Sequence, residues 1–97
     1  MIPEPMAQPQ AEALALRALV WMAGDADLVG RFLAMTGAGP ADVRARAAEP
    51  EFLGFVLDFL LTEEAALVAF AAAERIPPEA PMRARAALPG GALPHWT

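Results

Sequence analysis

Four arginines stand in two near-identical octets, "VRARAAEP" at residues 43–50 and "MRARAALP" at residues 82–89. Arg44, Arg46, Arg83 and Arg85 are the residues whose type and spacing most suggest recognition. A guanidinium presents a planar fork of donors that matches a carboxylate or a phosphate, so paired basic edges would suit an acidic partner. Helical geometry limits the idea, because residues two apart point about 200° from each other. Arg44 and Arg46 therefore cannot both face one ligand. Asp42 with Arg46, and Glu79 with Arg83, stand at i,i+4 and are expected to form surface pairs. Solvated helix faces are the plainer reading of all four cations.

The other chemical signals are weaker. "DADLVG", Asp25 to Gly30, has acids at the first and third positions and a glycine at the sixth, as a calcium-binding loop would. Val29 and Thr36 stand where the fifth and twelfth ligands should be, so no metal site is expected and Asp25 reads as a helix cap. Glu63 and Glu64 are adjacent carboxylates suited to the first turn of a helix and do not converge on a substrate. Asp58 lies on an almost wholly apolar segment, where it is expected to extend a polar stripe with Glu51 and Thr62, partial burial against an arginine being the alternative. His95 is the single histidine, beside Trp96, and the chain has no cysteine and no serine. A Ser/His or Cys/His nucleophile and a multi-histidine metal site are thereby excluded. No catalytic residue and no cofactor is expected.

Composition narrows the class further. The chain has 97 residues, enough for one domain with its own core, and 57% of them are apolar, with a mean hydropathy of +0.37. All seven cations are arginine, and the net charge of −5 opposes binding to phosphate backbones. "MIPEPMAQPQ" has neither the cationic start nor the apolar run of a secretory signal. The apolar stretch from Ala13 to Ala23 is interrupted by Arg17 and is too short for a membrane span. A soluble cytoplasmic protein is the expectation.

Alanine and leucine dominate while β-branched residues are sparse, so the expected fold is all-α, a compact bundle of five or six short helices. Pro3, Pro5 and Pro9 predict an extended arm over residues 1–9, ahead of a helical domain over 10–91 and a mobile tail over 92–97. The first helix runs from Gln10 to Ala23 with apolar residues around nearly its whole circumference. Asp25 caps a second that ends at Thr36 before Gly37, and Pro40 opens a short third. Pro50 starts the fourth, "PEFLGFVLDFLL", apolar almost all round. Thr62 is expected to cap the fifth, and the sixth covers Glu79 to Leu88. Trp21 and Phe55 read as core residues.

A shift of 38 or 39 residues aligns more than the arginines, since Leu28 and Phe32 fall near Leu67 and Phe70 and the first helix falls over the fourth. Either two similar three-helix halves share the first and fourth helices as a buried core, or the echo is chance in an alanine-rich chain. Two units are too few for a solenoid. The combination of "AEALALRALVWMAGDADLVGRFLAMTG", "PADVRARAAEPEFLGFVLDFLLTEEAALVAFA" and "PPEAPMRARAALPGG" resembles a family of short alphaproteobacterial proteins classed only as a domain of unknown function. The resemblance spans residues 11–91, rests most on "FLGFVLDFLLTEEA", implies a small helical protein and carries no activity. Pro81 and the residues after Gly91 are where it is weakest, Pro81 because it is expected to delay the last helix.

The functional expectation is a non-enzymatic helical module that binds another protein or itself. The fourth helix offers more apolar surface than its short neighbours can cover, with Phe55 and Phe59 as contact residues and Asp58 beside them. A nucleic-acid-associated regulator using the repeated arginines is the alternative, and the acidic charge counts against it.

Overall fold

The computed structural model describes residues 5–89, and these form six helices: α1 (Gln8–Ala23), α2 (Ala26–Thr36), α3 (Pro40–Arg46), α4 (Pro50–Thr62), α5 (Glu64–Glu74) and α6 (Ala80–Ala86). No strand occurs among them. The Cα radius of gyration, 12.9 Å, is close to the ~12.5 Å of a compact domain of this length. Among the described residues no helix is long and apolar enough to cross a membrane.

Turn chemistry places most boundaries. The Asp25 carboxylate accepts from the backbone N–H of Asp27 and Leu28, both at 3.1 Å, and so satisfies donors that open α2. Gly37 ends α2 at φ 75°, in the left-handed region that favours glycine, and its N–H returns to the Leu33 carbonyl. Asp42 accepts from the Gly39 N–H at 3.0 Å and so closes the first turn of α3 behind Pro40. Pro50 occupies the first position of α4, where the missing N–H costs no helical bond.

Four expectations shift. α1 begins at Gln8 and not at Gln10, because Pro9 falls in its first turn, where a proline is tolerated. Pro81 likewise sits in the first turn of α6 and is buried, so it does not delay that helix, which is shorter than expected and spans Ala80–Ala86. Thr62 does not cap α5. It is the last residue of α4, its hydroxyl donates back to the Phe59 carbonyl at 2.7 Å, and the N-cap of α5 is Glu63. α5 then ends on Arg75, a non-glycine residue in left-handed geometry at φ 57°. His95 and Trp96 lie outside the described residues.

The core is built around α1 and α4, as their hydropathy predicts, with α6 laid against both. α1 contributes Leu14, Ala15, Ala18, Leu19 and Met22, and α4 contributes Phe52, Leu53, Val56, Leu57, Phe59 and Leu60. Phe32 of α2 meets the rings of Phe52 and Phe59 edge to face, at 5.7 and 5.5 Å between centroids. Such pairs add about 0.5–1.5 kcal/mol each beyond burial. The half-buried Trp21 meets Phe70 of α5 in the same way at 5.6 Å. The two expected triplets do not pack equivalently: α6 buries Ala80, Pro81 and Ala84, whereas α3 buries no residue.

Gly37 and Arg75 share one backbone conformation with opposite residue types, so reciprocal substitutions have opposite signs. Gly37→Ala is expected to destabilise by about 1 kcal/mol and Arg75→Gly to stabilise by up to about 1 kcal/mol. Urea unfolding followed by far-ultraviolet circular dichroism measures both.

Candidate functional site

α4 positions the side chains that sequence singled out, and its helical period sorts them. Phe59 faces inward, is 4% exposed and packs on Phe32. It belongs to the core and not to the expected contact surface. Phe55, four residues earlier, is 44% exposed, so it is not the core residue its type suggests. Beside it, Met35 at the end of α2 is 54% exposed. Met35, Thr36, Phe55 and Arg46 enclose a groove of about 360 Å³. Met35 was not among the residues that sequence reasoning selected. Its place just before the α2 stop, where a terminal turn has fewer neighbours, is the only signal that points to it.

The arginines divide by position within each repeat. The second of each pair docks on α4. Arg46 holds its guanidinium carbon 4.8 Å from the Phe52 ring centroid and pairs with Glu49 at 3.4 Å. Arg85 donates from Nε to Asp58 Oδ1 at 2.6 Å and from Nη2 to Asp58 Oδ2 at 3.1 Å, a two-point clasp, while Nη1 donates to the Pro89 carbonyl at 3.0 Å. Asp58 is therefore held by an arginine and is not one of a solvated stripe with Glu51 and Thr62.

The first of each pair, Arg44 and Arg83, is exposed and has no ion pair among the described residues. Neither expected i,i+4 pair forms, since Asp42 is occupied by the Gly39 N–H and Arg46 turns to Glu49 instead. Arg83 borders a separate shallow cleft of about 370 Å³ with Gln10, Ala13 and Arg17. The four cations thus form no single basic face, because two of them are consumed in holding helices to α4.

Three further ion pairs form, two of which fasten the outer helices. Arg31 of α2 reaches Glu63 at the α4–α5 turn at 2.7 Å and Asp27 at 3.5 Å. Its pKa is raised, chiefly because Glu63 accepts its hydrogen bond. Arg17 of α1 pairs with Glu74 of α5 at 2.9 Å. Among the described residues no group of three or more His, Asp or Glu side chains is placed to hold a metal ion. The Asp25 carboxylate that suggested a calcium loop is instead turned onto the backbone of α2.

Among the described residues, the side chains singled out by sequence border an apolar groove edged by a guanidinium, over a scaffold clasped by Arg85. A family model described as "Protein of unknown function (DUF3572)" matches residues 8–91, so the chain belongs to that family. Comparison with curated proteins and with solved structures gave no match.

The clasp makes Gly54 a residue of close approach. A Cβ there would lie 2.9 Å from Arg85 Nη1 and 3.2 Å from its guanidinium carbon. In the native chain Gly54→Ala should displace the guanidinium from Asp58 and be neutral to destabilising by about 1 kcal/mol. With Asp58→Ala already in place, the same change should instead stabilise by roughly 0.5–1 kcal/mol through helix propensity. A double-mutant cycle in urea, with this reversal of sign as its readout, tests the clasp.

Proposed function

We propose that this member of the family is a non-enzymatic interaction module of the cytoplasm that binds an amphipathic segment of another protein in the groove between α2, α3 and α4. The observation that carries the reading is the contrast within α4. Seven of its thirteen residues are buried, yet Phe55 stays 44% exposed next to the 54% exposed Met35. Large apolar side chains grouped beside a concavity mark association surfaces more often than isolated ones do.

The chemistry of the groove selects the occupant. Phe55 and Met35 offer an aromatic edge and an adaptable thioether, suited to one or two large apolar side chains. Arg46 at the rim favours a carboxylate beside them. An acidic amphipathic helix presenting apolar residues at i and i+3 or i+4 has both features. A duplex would find less, since Arg46 and Arg85 are engaged with α4 and, of the four repeated arginines, only Arg44 and Arg83 are free of ion pairs among the described residues.

Retention of native-cell proteins on the tagged chain, with and without nuclease, tests the reading when groove variants are compared. Phe55→Asp and Met35→Glu should each lower recovery of a stoichiometric partner at least tenfold with helicity unchanged, and Val68→Asp on α5 should not. Recovery that is insensitive to both groove variants would overturn the groove, and recovery abolished by nuclease would replace a protein partner with nucleic acid.

A further inference from the structure

α1 carries a second apolar stripe that no other helix covers among the described residues. Its buried face is Ala11, Leu14, Ala15, Ala18, Leu19 and Met22. About 140° round the helix stand Ala13, Leu16, Val20 and Ala23, all exposed, with Leu16 at 42% and Val20 at 68%. The intervals between them are three, four and three residues, the spacing of a coiled-coil seam. Apolar residues run around nearly the whole circumference of this helix, and among the described residues this side is exposed.

The residues flanking the stripe identify the occupant. With Ala13 and Val20 taken as a positions and Leu16 and Ala23 as d positions, Glu12 falls at g and Arg17 at the following e. In a parallel two-stranded pairing a g residue meets the e residue five positions later on the partner helix. Glu12 of each copy then faces Arg17 of the other, twice by symmetry. A β-branched residue at a with leucine at d, here Val20 and Leu16, favours two strands over three. The neighbouring side chains leave room for the exchange. Among the described residues, Glu74 takes only Nε of Arg17, and Glu12 is held only by the amide of Gln8 at 2.9 Å. Beside the seam lies a concavity of about 500 Å³, bordered by Arg17, Trp21 and Glu74, which can receive the partner's side chains.

We infer that the chain self-associates through α1 as a parallel two-fold dimer, with Leu16 and Val20 at its centre and Glu12–Arg17 pairs between copies. The surface is separate from the Phe55 groove. The seam is short, so the dimer is a weak one that forms and separates with concentration.

Sedimentation of the full chain from about 10 µM to 1 mM tests it. The expected result is a monomer–dimer equilibrium weakened at least tenfold by Val20→Glu. Glu12→Arg and Arg17→Glu should each weaken self-association, and their equimolar mixture should restore it as a heterodimer. Phe55→Asp should leave it unchanged, which separates this surface from the groove. Because the chain has no cysteine, Val20→Cys gives a single-site readout of direction: parallel pairing brings position 20 of each copy together and yields a disulfide-linked dimer on oxidation. A chain monomeric throughout, a dimer insensitive to the charge reversals, or the absence of crosslinking through position 20 would overturn the inference. The charge-reversed variants alter exposed or half-exposed side chains, so they remain informative even where Val20→Glu impairs folding.

Discussion

The packing of α6 depends on one ion pair laid across a glycine. Arg85 crosses α4 at Gly54, where the absence of a side chain brings the guanidinium close to the helix, and closes on both oxygens of Asp58. Arg85 is only 15% exposed while Asp58 is 46% exposed, so one end of the pair is sheltered and the other remains solvated. That geometry limits the desolvation cost that makes fully buried pairs a poor investment. It also fixes the azimuth of α6, whose Ala80 and Ala84 can then approach the core closely. Small residues on α6 and a missing side chain on α4 are two halves of one close contact.

That contact explains why a hydrophobic α4 does not simply expose its excess. Phe52, Leu53, Val56, Leu57, Phe59 and Leu60 are covered by α1, α2, α5 and α6. Phe32 anchors the α2 side by meeting two α4 rings edge to face. Beyond single exposed side chains such as Val68 and Met82, residual apolar surface is grouped in two places. One is Phe55 with Met35, at the edge of α2. The other is the outer side of α1, whose inner side already fills the core. Each has its own charged neighbours, a guanidinium in the first and an acid with a base in the second, and this difference in charge is why different occupants are proposed for them.

The repeated Arg-Ala-Arg segments show how similar sequences acquire different work. In both copies the second arginine reaches α4, but Arg46 finds the Phe52 ring and Arg85 finds a carboxylate. α3 stays on the surface with no buried residue, while α6 enters the core. The echo thus reflects a shared way of tying a short helix to α4 and does not extend to equivalent packing of two halves. Arg44 and Arg83, pointing away from their partners as a two-residue helical step requires, are left to solvent.

By itself the sequence determined the local structure: six helices, their order, and most of their ends. Those follow from forces acting within a few residues, such as the Asp25 cap, the Gly37 turn, the prolines at first turns and the helical preference of alanine and leucine. It also determined that α1 and α4 would share the core, since their hydropathy has no other outlet. Tertiary structure alone decided which side of each apolar helix was covered. Phe55 and Phe59 have the same type and nearly the same neighbours in sequence, and only the placement of α2 separates a surface residue from a core one. The same holds for Asp58, whose partner lies 27 residues away, beyond the reach of any local pattern. Helix propensity is a short-range quantity, whereas burial and ion pairing depend on which distant segment arrives, and the exposed apolar groupings of this protein are a product of the latter.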